Sequence, residues 1–210
     1  MFEQTLKFFV VFFVVVEPVS LIPLFTELTT GASVSYKRSM ALKAVAISAA
    51  ILLLFALGGA KFLELMGISL EAFRIFGGLL LFLLSLEMVF ARESGTRTSS
   101  REAAESRRRA DISVFPLAFP FIAGPGALAT ILLWFGPLDL TGHAALFGLY
   151  FGAVVVVLAI ALLMMFLADP LMRVIGVTGA NVASRLLGVI LGALGVQFVL
   201  DGLRQGFRLS

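Results

Sequence analysis

The chain has 210 residues, 60% of them hydrophobic and 14% charged, with a mean hydropathy of +1.07, a formal charge of +3 and no cysteine. About a quarter of the residues in a soluble domain are charged, so these proportions exclude an ordinary soluble fold and place the protein in a bilayer. The missing cysteines exclude a disulfide framework, a thiol nucleophile and a cysteine-based metal site.

Apolar runs of about 20 residues, the length that crosses the hydrocarbon core as a helix, predict six spans at roughly 4–29, 40–62, 69–91, 112–136, 143–168 and 181–204. The first lacks the basic start and small-residue cleavage site of a signal peptide and reads as a retained helix. It contains EPVSLIP, which puts a carboxylate and two prolines (Glu17, Pro18, Pro23) inside an apolar span. An ionisable group at that depth is rare and by default functional, and it can trade a proton when a cavity opens to water.

The third span carries Arg74, and a polar stretch at 92–111 follows it. The fourth reads VFPLAFPFIAGPGALATILLWF, in which Pro116, Pro120 and Pro125, with Gly124 and Gly126, cannot all sit in one unbroken helix. The sixth carries Arg185 and Gln197 among small residues, with Gly188, Gly192 and Gly195 on one face suited to close packing. The single histidine, His143, sits in a short loop.

Lysines and arginines favour the loops after spans one, three and five, where Lys37, Arg38, Lys43, Arg107 to Arg109 and Arg173 lie. The positive-inside rule then puts 92–111 in the cytoplasm and both termini outside, and it accounts for the basic pI without nucleic acid.

RIFGGLLLFLL from Arg74 and RLLGVILGALG from Arg185 resemble each other, and a proline-broken span precedes each by a similar distance. The predicted architecture is an all-α membrane protein of six helices in two inverted three-helix repeats, 1–91 and 112–210, joined by 92–111, with helices one and four interrupted. Interrupted spans in matching positions of two halves point to a transport site. Glu17, Pro18, Ser20 and Pro23 are expected to form one side of it, and Ala123, Gly124, Pro125 and Gly126 the other. Arg74, Arg185 and Gln197 are structural or coupling candidates. No catalytic residue, metal ligand or cofactor is expected: one histidine rules out H-E-x-x-H, and no G-x-S-x-G occurs.

EPVSLIPLF also resembles the Asp-Pro-x-Gly-x-x-Pro segment of the MarC family of bacterial and archaeal integral membrane proteins. PLAFPFIAGPGALAT resembles that family's Pro-Leu-Ala-x-Pro…Ala-Gly-Pro-Gly segment, and FRIFGGLLLF and SRLLGVILGALGVQFVLDGL its third and sixth helices. Three positions depart from the pattern: Glu17 stands for the usual Asp, Ser20 for the usual Gly, and Leu21 where Asn is common. The resemblance implies six helices related to LysE-type exporters, a bacterial inner membrane location, and proton-coupled transport of small neutral amino acids such as glycine and alanine. Efflux of other small molecules or drugs, and a non-transporting scaffold or sensor, are the alternatives, and oligomerisation is left open.

Overall fold

The structure, a computed structural model, describes residues 1–90, 111–138 and 142–207. Apart from Asp111, the linker expected at 92–111 lies outside the described residues. Every regular element among them is helical: α1 (Phe2–Val16), α2 (Leu21–Leu28), α3 (Val34–Leu65), α4 (Leu70–Phe90), α5 (Pro125–Phe135), α6 (Ala144–Phe166) and α7 (Ala168–Gly206). A proline-rich segment, Ser113–Ile122, precedes α5 at an angle of 55°. Among the described residues, five stretches are long and apolar enough to cross a membrane, or six where the bent pair is counted as one span.

Two spans outrun their predicted bounds for local reasons. Helix α3 starts at Val34 rather than near residue 40 because the Ser33 hydroxyl accepts the Tyr36 N–H at 3.2 Å, capping a free donor of the first turn. It stops at Gly67, whose φ of 70° only glycine adopts without penalty. There Ile68 N–H reaches Leu63 O at 2.9 Å and Gly67 N–H reaches Glu64 O at 3.0 Å, the paired bonds of a Schellman ending. The last span gains a helical piece ahead of its predicted start. The residues from Ala168 onward are helical, and Gly176, at φ 65° and ψ 173°, then turns the chain inside α7.

Helices α4 and α7 form the most extensive helix–helix contact, and a glycine seam sets their spacing. A Cβ on Gly202, Gly195 or Gly188 would meet the carbonyl oxygen of Glu71 at 3.1 Å, Gly78 at 2.7 Å or Ser85 at 3.2 Å respectively. Each step of seven back along α7 matches a step of seven forward along α4, so the helices run antiparallel with a periodic small-residue line between them. In lipid, where apolar surface gives no drive to associate, such close backbone approach supplies the packing contacts. Gly195→Ala is therefore expected to force the helices apart and cost about 1–3 kcal/mol by overpacking. Gly148→Ala should be neutral, because a Cβ there meets nothing within 4 Å. Equal melting temperatures for the two variants in detergent would refute the seam.

At one end of the bundle, ion pairs tie the first half of the chain to the second. Lys37 Nζ donates to both oxygens of Asp169, at 2.7 and 2.9 Å, and Lys43 Nζ donates to Asp111 at 3.1 Å. Asp111, just ahead of the proline segment, also accepts from Ser113 Oγ and from Ser113 N–H. Those two bonds, with Lys43 adding to them, lower its pKa from 3.8 to about 2. A depressed carboxylate pKa contributes stability that is fully present above the unfolded value and is lost as pH falls through the folded one. The Asp111 contribution should therefore be flat from pH 5 to 9. A Tm gap between the parent and Asp111→Asn that varied across that range would contradict this assignment; the gap itself should be small, since the side chain is half exposed.

At the opposite end an aromatic cluster fills the space between α1, α5 and α6. Phe8, fully buried, lies 5.0 Å from Tyr150, 5.5 Å from Trp134 and 5.7 Å from Phe135 between ring centroids, and Phe135 meets Phe147 edge-on at 4.9 Å. Separations of 4.5–7 Å in tilted geometry are the favoured aromatic arrangement.

Candidate site at the two helix breaks

Helix α1 ends where Pro18 stops it. Proline has no N–H for the helical ladder and crowds the residue before it out of helical geometry. That residue is Glu17, held at φ 52° and ψ 62°. It is the one non-glycine residue with positive φ among those described. A side chain in this left-handed region costs roughly 1–2 kcal/mol, and such strain persists only where the surroundings over-determine it. Here the Glu17 N–H still reaches Phe13 O at 2.9 Å, and Glu17 O accepts from Ser20 N–H at 3.0 Å. A single turn, Pro18–Ser20, restarts the helix with proline at its first position, and α2 follows. Pro23 falls in the first turn of α2, where no intrahelical donor is needed.

The second break falls in the span expected to be interrupted, and its form is irregular. Pro116 and Pro120 each follow a phenylalanine through a cis peptide bond, and Phe115 and Phe119 are extended, with ψ of 125° and 130°. A wide turn encloses each proline, closed by Leu117 N–H to Ile112 O at 3.3 Å and by Ala123 N–H to Ala118 O at 2.8 Å. Two prolines four residues apart allow no ordinary helix between them. Ala123 and the extended Gly124 complete the break, and α5 begins with Pro125, its N-terminus uncapped by any side chain.

Both glycines of this break are hemmed in by contact rather than by backbone angle. A Cβ on Gly124 would sit 2.1 Å from the Pro120 carbonyl oxygen, and backbone cannot yield. One on Gly126 would lie 3.0 Å from the tips of Leu81 and Leu84 and 3.2 Å from Val15 Cγ1. Val15 is two residues before Glu17, so the start of α5 rests on the end of α1.

Glu17 is 1% exposed. Ser20 Oγ donates to its Oε1 at 2.5 Å and lies 2.7 Å from Ser184 Oγ on α7. The structure thus groups Glu17, Pro18 and Ser20 at one break and Ala123, Gly124, Pro125 and Gly126 at the other, with Val15 and Gly126 in contact. It sets the remaining candidates apart. Arg74 is half-buried and Arg185 exposed, and neither makes a hydrogen bond or ion pair with another described residue. Gln197 is exposed and donates to Asp201, one turn on, at 2.8 Å.

Ser184 is the site residue that sequence reasoning missed. Its only signal was a hydroxyl beside Arg185, and serines are common in membrane helices, where they bond to neighbouring helices or to their own backbone.

Residues 2–207 match the family described as MarC family integral membrane protein. The chain is 32% identical over 207 residues to the UPF0056 membrane protein YhcE of Escherichia coli, covering 98% of this chain and 94% of that protein. A UPF0056 membrane protein of Aquifex aeolicus is 36% identical over 200 residues, 95% of this chain and 92% of its own. One from Archaeoglobus fulgidus is 32% identical over 199 residues, 94% and 91% respectively. No solved structure matches the chain.

Proposed function

The chain belongs to the MarC family of integral membrane proteins, and from that premise we propose that it is a secondary transporter of small neutral amino acids, of the glycine and alanine class, coupled to protons. The observation that carries this reading is that the two interrupted spans pack beside a buried carboxylate: the start of α5 at Gly126 lies against Val15 of α1, two residues before Glu17. Non-helical backbone within a membrane is tolerated where it is enclosed by protein or lines a cavity, and such breaks suit a ligand with two charged ends. The start of α5, with partial positive charge on its free N–H groups, is suited to a substrate carboxylate. Glu17 is suited to the ammonium and to a coupled proton. Contacts as tight as those around Gly124 and Gly126 favour a small substrate over a bulky amphipathic drug.

An inverted repeat fits the same reading. Pro18 and Pro125 both open the helix after a break. Val34 and Ala144 begin the second span of each half, and Gly67 and Gly176 turn the chain at positive φ before the third. With Arg74 and Arg185, these pairs lie 107, 110, 109 and 111 positions apart. The third spans, α4 and α7, pack antiparallel, as two copies related by an axis in the membrane plane would. The lysine-rich end, where Lys37 and Lys43 form their ion pairs, is assigned to the cytoplasm and both termini to the outside.

Counterflow of labelled alanine, glycine and serine into proteoliposomes tests the substrate class. Accumulation of alanine against a large cold internal pool is the expected result. Absence of counterflow for all three, with correctly inserted protein, would remove the amino-acid reading and leave efflux of other molecules as its successor. A C-terminal reporter active in the cytoplasm would overturn the orientation.

A further inference from the structure

The break before helix α2 touches α7 through a polar contact, that between Ser20 and Ser184. Ser20 has one hydroxyl proton, and it is given to Glu17 Oε1. The oxygen of Ser20 is therefore the acceptor for Ser184, and the chain of donation runs from Ser184 to Ser20 to Glu17. The two serines stand at the same level. Ser20 is eight residues from the end of α2, and Ser184 is about as far from the turn at Gly176, roughly 12 Å along a helix in each case. They lie on the side of Glu17 that faces the Lys37–Asp169 pair. On its other side, nine residues back along α1, lies the aromatic cluster around Phe8.

We propose that Ser184 is a positioning residue of the transport site, the polar contact by which the second half of the chain closes over Glu17, and that the Ser20–Ser184 bond opens in each transport cycle. The proposal rests on the transport reading and deepens it. Chemistry favours this contact as the moving one. A single hydroxyl pair can be replaced by water at little cost when a cavity opens, whereas parting the aromatic cluster would expose several fully buried rings. Both hydroxyls are half-buried, within reach of an entering solvent file.

The chain has no cysteine, so S20C/S184C introduces a lone thiol pair that can be locked by oxidation. Alanine counterflow by the oxidised protein is expected to fall at least tenfold and to return on reduction. Cross-linked protein that exchanges alanine at the reduced rate would overturn the proposal, as would a pair that cannot be oxidised. A second measurement needs no substrate. In S20C alone, labelling by a water-soluble maleimide should rise several-fold when S184A is added, because the covering contact is gone; equal rates overturn the proposal. If the parent protein moves no alanine while S184A still speeds labelling of S20C, the substrate class is wrong and the closing contact stands. A positioning role also requires that S184T, which keeps the hydroxyl, restore counterflow lost in S184A.

Discussion

Glu17→Gln is expected to abolish uptake driven by a proton gradient while leaving part of the exchange of substrate for substrate. Glutamine keeps the length of the side chain and an oxygen that can accept from Ser20, so the bond seen at 2.5 Å has a counterpart. What it removes is a group able to take and release a proton. Glu17 is 1% exposed and sits where α1 has stopped, so no neighbouring water can stand in for it without a change of conformation. Counterflow, which needs no net proton movement, should fall far less than gradient-driven uptake and should lose its dependence on pH. A variant with the parent's gradient response and pH profile would show that coupling lies elsewhere, and Glu17 would then be a binding group only.

Gly124→Ala is expected to abolish transport outright, and Gly126→Ala to leave much of it. Both are one-carbon changes within the same five residues, so composition does not separate them; contacts do. At Gly124 the new methyl would occupy the space of the Pro120 carbonyl, which is backbone held between Pro120 and the wide turn closed by Ala123. Relief requires the break itself to change shape. At Gly126 the methyl meets the far ends of Leu81, Leu84 and Val15, which can shift by a few tenths of an ångström. Adding a branch there, as in Gly126→Val, exceeds what those side chains can yield, and overpacking costs about 1–3 kcal/mol. Both alanine variants should still insert into the membrane, since span hydrophobicity is unchanged. Transport by Gly124→Ala at the parent rate would mean that the break is not part of the working site.

Much of this molecule is determined by chemistry that acts within a few residues. An apolar run long enough to cross the hydrocarbon makes a span wherever it occurs, which is why the five or six candidate spans and their order are legible in composition alone. A proline ends its own helical turn whatever surrounds it, so the breaks at Pro18 and at Pro120 to Pro125 are legible too, as is the carboxylate that one of them carries. Glycine at 67 and 176 marks the turns for the same local reason. Tertiary structure decided the rest. That Ser184 meets Ser20 depends on how far α7 slides along α2, and nothing within either segment sets that distance. It is set where α2 packs on α7, while the glycine seam holds α7 against α4 in one register. The form of the second break is likewise a product of context. Prolines forbid an ordinary helix there, but whether the chain becomes a kinked helix or a run of wide turns depends on the packing of α3 against Ser113–Ile122. Arg74, Arg185 and Gln197 mark the same limit: a polar residue in a span announces itself in sequence, but the direction its side chain takes, inward or to lipid, is set by the rotation of the whole helix against its neighbours.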